Sequence, residues 1–177
     1  MNKKVKRDFL IFGLGVLCAL TIPLACTRMV EEDPPTQAEP AGGIKVGVHD
    51  DNKVKVVSIN WGLKVRNFSE LFLLSGYGAT DAEGTVQFPG DAAAQAEFIV
   101  GRIESFIEKN GYTANDIIRY VTTVTKDVPR SQFSGIRAAT SAFLSDVEVK
   151  PTAGTFRIVQ GLGNPEMLVE LDFWFAQ

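Results

Sequence analysis

Glu170, Asp172 and Trp174 stand at every second position near the end of the chain. Alternate side chains of an extended strand share a face. A strand over Met167–Phe175 therefore presents two carboxylates and an indole on one side. Met167, Val169, Leu171, Phe173 and Phe175 fall on the other side and can be core. Carboxylates beside a Trp are an unusual mixture for a plain solvent face, so part of any site is expected here. A second candidate is Arg137, four residues after Phe133 and three before Thr140 at the edge of an apolar helical stripe. It reads as a stem lying over the core with its charge in water, or as a guanidinium aimed into an anion-binding cleft. A third is the run Ser75-Gly76-Tyr77-Gly78. Two glycines at a strand end admit close approach by another strand or by a ligand.

Other chemistries are disfavoured by residue type. The only histidine is His49, beside the Asp50-Asp51-Asn52 turn, where it reads as a solvated turn residue. Histidine catalysis and a multi-histidine metal site are therefore not expected. Both cysteines, Cys18 and Cys26, lie in the first 26 residues, so the remainder has no thiol for a disulfide or a metal. No metal or cofactor is expected. Without those 26 residues the chain keeps 14 basic against 20 acidic side chains. Sequence-independent nucleic-acid binding needs the opposite balance.

The length suits one globular domain with an appendage at its front. Lys3, Lys4, Lys6 and Arg7 precede an uncharged run, Phe9–Thr27. That layout predicts a signal peptide or membrane anchor over residues 1–27, and an extracytoplasmic, envelope location. Lys6-Arg7-Asp8-Phe9-Leu10 resembles a twin-arginine export motif with Lys for its first Arg, and an ordinary secretory start reads equally well. Leu24-Ala25-Cys26 resembles the end of a lipoprotein signal, with Pro23 departing from it and Cys26 as the lipidation site. Residues 28–43 read as an acidic, Pro-rich tether.

The domain itself is expected over residues 44–177. Ile44–Asn60 reads as a hairpin returning through Val54, Val56 and Ile59. Leu71–Gly78 is an apolar strand. Asp91 caps a helix with the stripe Ala96, Ile99, Ile103, Phe106 and Ile107, ended by Gly111. Gly101 within it suggests close packing. Asp116–Asp127 is a β-branched strand, and Ser131–Leu144 a second helix. The last stretch reads as two strands, Thr155–Gln160 and Met167–Phe175, joined by a tight turn. The order predicts an α+β domain, a mixed sheet with both helices on one face. Leu71, Phe72, Leu73 and Leu74 are apolar on both strand faces, so the other face should be buried against further copies of the chain.

Residues 59–177 resemble the RidA family (also called YjgF), the reactive-intermediate deaminases. The carriers are Leu73-Leu74-Ser75-Gly76, the Asp91–Gly111 helix, Val121–Asp127, Phe133 with Phe143, Pro151, and Leu168-Val169-Glu170-Leu171. The resemblance implies a chorismate-mutase-like fold, a homotrimer, and small-molecule sites between subunits. It implies hydrolysis of enamines or imines to ketoacid and ammonia, with Glu170 positioning the water. Trp61 stands where the family has a Tyr, and Ser75 and Gly76 are retained. The family's carboxylate-gripping Arg is absent, since Ala153 or Gly154 occupies its place. Arg137, at the position of a family Asn, or Arg157 would replace it. Arg157 reads equally as an exposed cation on a sheet edge. Trp61, Ser75, Gly76, Tyr77, Gly154, Thr155 and Phe156 would line the cleft. The alternative is a non-catalytic trimer that binds a small carboxylate or an envelope partner.

Overall fold

The computed structural model describes residues 43–53 and 59–177, with the side chains of residues 153 and 154 outside that description. The signal segment, its Cys26, most of the tether and the hairpin return through Val54 and Val56 lie outside the described residues. Among the described residues no helix is long and apolar enough to cross a membrane.

Strand β1 (Ile44–Val48) pairs antiparallel with β2 (Gly62–Arg66) in a two-stranded sheet. A larger mixed sheet contains β3 (Leu71–Leu73), β4 (Tyr77–Gly78), β5 (Ile117–Thr125), β6 (Thr152–Val159) and β7 (Val169–Ala176). Its order is β3-β7-β5-β6, with β4 also on β7. β7 runs antiparallel to β3, β4 and β5, and β5 runs parallel to β6.

This order corrects the reading of the last stretch as a turn-linked strand pair. β5 lies between β6 and β7, so the connection crosses over it. Gly161, Gly163, Asn164 and Pro165 belong to that connection. It is fastened to the helix layer by Gln95, which is fully buried. The Gln95 amide donates to Glu166 O at 2.8 Å and accepts from Leu168 N at 2.8 Å. A buried polar side chain is stable only when so paired, and this one sets the start of β7.

Helix α1 (Ala92–Lys109) begins where Asp91 Oδ1 accepts from Ala93 N and Ala94 N. Gly111, at φ +80°, follows its end. Ala96, Ile99, Ile103 and Ile107 are buried as the stripe requires, whereas Phe106 is 38% exposed. No atom would meet a Cβ on Gly101 within 4 Å, which corrects the expectation of close packing there. The tight glycine is Gly135, whose added Cβ would lie 2.6 Å from Ala93 Cβ. Gly135 belongs to α2 (Phe133–Phe143), which packs beside α1.

Both helices cover one face of the sheet. Val169, Leu171, Phe173 and Phe175 of β7 have no exposed surface and join Ile99, Ile103 and Ile136 in the core. The alternation along β7 therefore holds from Val169 to Phe175, and Ala176 departs from it by being buried. The opposite face carries Leu71, Leu73 and Trp174, exposed by 48%, 55% and 38%.

Candidate functional site

The face turned away from the helices brings Glu170, Asp172 and Trp174 of β7 beside alternate residues of the neighbouring strands. Glu170 is opposite Thr123 of β5, Asp172 opposite Val121, and Trp174 opposite Arg119. Thr123 is in turn opposite Arg157 of β6. Glu170, Thr123 and Arg157 thus form one row across three strands. Adjacent strands are about 4.8 Å apart, so the Glu170 and Arg157 backbones are separated by about 10 Å.

Gly76 sits on the other flank of Glu170. β3 and β4 are two short pieces separated by Leu74-Ser75-Gly76, and their pairing with β7 slips by one residue across that break. Leu74 turns into the core, while Ser75 and Gly76 are exposed. A Cβ on Gly76 would lie 2.6 Å from Glu170 Cδ and 2.7 Å from Oε1. The Glu170 carboxyl therefore occupies the space that a side chain at position 76 would fill. The Ser-Gly strand end is a seat for this carboxyl, the close approach that two glycines permit. Gly78 seats Met167 in the same way, with Sδ 2.5 Å from its would-be Cβ.

Glu170 and Asp172 are both half-buried. Burial pushes the Glu170 carboxyl above the usual carboxylate range, and the neighbouring Asp172 charge pushes the same way. Burial also raises Asp172, but Arg157 and Arg119 oppose that rise. The Arg119 guanidinium lies 4.9 Å from the centre of the Trp174 ring, a cation–π distance.

Other residues expected in the site lie elsewhere. The Arg137 guanidinium is 6.0 Å from the Phe156 ring, and Phe156 packs on Phe133 of α2 with ring centres 5.0 Å apart. Both belong to the helix-covered face, because Phe156 is in register with Thr122 rather than Thr123. Within one chain Arg137 therefore lies on the opposite side of the sheet from Glu170, with its side chain exposed. Tyr77 also faces the helix layer, with its ring 6.0 Å from Phe106. Trp61 lies at the far edge of the sheet. Its neighbour Asn60 bonds Pro151 O through its backbone N–H and Lys150 O through its side chain, and Lys53 Nζ stands 5.7 Å from the indole. Thr155 shares the face of Arg157 by alternation along β6, and the backbone of Gly154 lies in the same strand. Arg119 and Thr123 went unassigned in the sequence reading. Their signal was parity along β5, usable only once its register with β7 is known.

Concavities of about 570 and 590 Å3 lie away from this face. One borders β1 and the end of β7. The other runs between α1 and α2 over Gly101 and Ala142.

No protein-family model matches the sequence, and no curated protein sequence matches it. Solved structures do match. One is YyfB from Yersinia pestis, a protein of unknown function of the conserved Rid family. Its TM-score is 0.67 at 21% identity, over 75% of this chain and 98% of that one. The chain has the Rid fold. A second structure of this fold is TdcF from Escherichia coli, solved with bound serine, with a TM-score of 0.52 at 18% identity over 62% of this chain and 82% of that one. A third, from Thermotoga maritima and described as a candidate endoribonuclease, has a TM-score of 0.52 at 18% identity over 76% and 98%. The mixed sheet with its paired helices is thus the architecture that the resemblance implied.

Proposed function

We propose that this chain is a divergent Rid-type protein that binds a small carboxylate-bearing molecule on the open sheet face and hydrolyses its imine or enamine group. The observation that carries the reading is the row Gly76–Glu170–Thr123–Arg157. It supplies a seated carboxyl of raised proton affinity and, two strands over in the same row, a guanidinium suited to gripping a carboxylate. Glu170 gives a proton to the imine nitrogen and takes one from the attacking water. An enamine first moves a proton from nitrogen to carbon to become the imine; the water oxygen then becomes the ketone oxygen, both water protons leave on nitrogen, and the products are a ketoacid and ammonia. Arg157 takes the part that the family gives to an Arg where this chain has Ala153 or Gly154. The serine bound to TdcF supports a ligand of amino-acid size.

An open sheet face is a poor cleft by itself, because water reaches it freely. Exposed Leu71, Leu73 and Trp174 support its closure by further copies of the chain, as a homotrimer. The basic start and uncharged Phe9–Thr27 run support residence on the extracytoplasmic side of a membrane, held by that segment or by a lipid on Cys26. Sedimentation and mass spectrometry of the mature protein check these two points.

The deciding experiment is ammonia release from enamines generated in solution from several amino acids, with the parent compared with Glu170→Ala and Arg157→Ala. Turnover lost in both variants supports the hydrolase. A folded parent that binds ketoacids but releases no ammonia from any of the enamines supports the second reading, a binding trimer without turnover. The missing family Arg favours that second reading.

A further inference from the structure

We propose that the flank of α1 beside β4 is a binding site for a small oxyanion of the phosphate class, held between Arg102 and Lys109 over Gly101. The site lies on the helix side of the sheet, and nothing in it depends on the reading of Glu170.

A third concavity, of about 240 Å3, is lined by Tyr77, Gly101, Arg102, Ser105, Phe106 and Lys109. Gly101, Ser105 and Lys109 recur every four residues and share one face of α1, with Arg102 and Phe106 on the adjoining row. The rings of Tyr77 and Phe106, 6.0 Å apart, form its apolar wall. Arg102 and Lys109 give it positive charge, and no carboxylate lines it. The chain as a whole has a formal net charge of -3, and its other concavities follow that balance. Asp116 and Glu148 border the one at β1, and Glu97, Glu104 and Asp146 the one between the helices. Gly101 borders both concavities on α1 and so divides an acidic flank from a basic one.

The two cations are held differently. The Arg102 guanidinium donates to Thr80 O and lies 5.8 Å from the centre of the Phe98 ring. It is thereby fixed in place, and the bond to Thr80 leaves other N–H groups of its fork for a ligand. Lys109 is exposed and has no hydrogen bond or ion pair among the described residues. A fixed guanidinium beside a mobile ammonium is suited to gripping a phosphate. Gly101 supplies the room. Glycine inside a helix is destabilising relative to alanine, yet a Cβ here would meet no atom within 4 Å. Packing within the chain does not require the glycine, whereas a ligand lying against the helix backbone does. Ser105 Oγ, which donates to Gly101 O at 3.0 Å, can turn to the same ligand. The last turn of a helix is its negative end, so the two cations must carry the binding.

The test is the rate at which Lys109 is acylated in the full-length protein in neutral detergent, read by mass spectrometry with exposed Lys126 as internal control. Inorganic phosphate and glycerol 3-phosphate should slow Lys109 saturably and leave Lys126 unchanged, and chloride at equal ionic strength should do neither. Arg102→Gln should raise the phosphate midpoint by about tenfold or more, the size of one charge-assisted hydrogen bond. Gly101→Leu fills the cavity from an open helix position and keeps both cations. It should abolish the protection while melting as a folded protein. Phosphate and chloride slowing both lysines alike, or protection that survives in Gly101→Leu, overturns the inference. Vesicles of phosphatidylcholine with and without phosphatidylglycerol, free of added phosphate, identify the source. Lys109 slowed only by phosphatidylglycerol assigns the site to a lipid headgroup, and protection by glycerol 3-phosphate but not by these vesicles assigns it to a soluble phosphate ester.

Discussion

Gly76→Ala is the sharpest perturbation of the site, because it adds one methyl group where the Glu170 carboxyl now lies. Non-bonded carbons rest about 3.5–4.0 Å apart. The new Cβ would stand 2.6 Å from Glu170 Cδ, 2.7 Å from Oε1 and 3.0 Å from Cγ. The overlap is therefore about an ångström. Gly76 is not in the left-handed region, so alanine meets no backbone obstacle there. The partner that must move is the end of a flexible side chain, and swinging it off its rotamer costs about 0.5–1.5 kcal/mol. Stability should fall by no more than that. Function should suffer far more, since a catalytic group displaced by about an ångström loses roughly a hundredfold in rate. The displaced carboxyl is also more solvated, so its pKa should drop back toward the ordinary carboxylate range. Urea unfolding, the Glu170 carboxyl titration and ammonia release measure these three effects on one sample. A variant with wild-type titration and wild-type turnover would refute the seat assigned to Gly76.

Four further outcomes follow from the same contacts. Glu170 and Asp172 bind protons more tightly folded than unfolded, so their contribution to stability should fall as pH rises from the ordinary carboxylate range through their raised values. Glu170→Gln should accordingly be more stable than the parent at neutral pH and lose that advantage in mild acid, as urea unfolding at the two pH values would reveal. Gly101→Ala, with open space around it in a helix interior, should stabilise the fold by about 0.5–1 kcal/mol. Gly135→Ala, meeting Ala93 Cβ at 2.6 Å, should instead lower the melting temperature, because overpacking costs about 1–3 kcal/mol against a smaller helix gain. Gln95→Leu leaves Leu168 N–H and Glu166 C=O without their partner and should cost about 2–5 kcal/mol, with faster hydrogen exchange at Leu168. An unchanged Leu168 exchange rate would mean that Gln95 does not hold the start of β7.

Much of the fold was legible because it is local. The Asp91 cap, the isoleucine stripe of α1 and the two-residue period of β7 each reflect backbone geometry acting over a few neighbours. The value of Ser75-Gly76 was legible only as permission for something to come close; that the guest is Glu170 depends on the one-residue slip where β3 gives way to β4. Gln95 lay within the helical run without marking itself, since its partners are more than seventy residues away in sequence.

The sequence by itself determined which side chains share a face of each element, because the helical and strand periods are properties of the backbone. It could therefore put Glu170, Asp172 and Trp174 together, and separate them from the Val169–Phe175 core residues. Only the tertiary structure decided which faces meet. The insertion of β5 between β6 and β7 set Arg157 in line with Glu170, brought Arg119 to Trp174, and left Arg137 and Phe156 behind the sheet. Strand order and register arise from long-range pairing and core burial summed over the whole domain. A shift of one residue would carry every side chain of a strand to the other face, so no local pattern could distinguish the arginine that faces Glu170 from the one that does not.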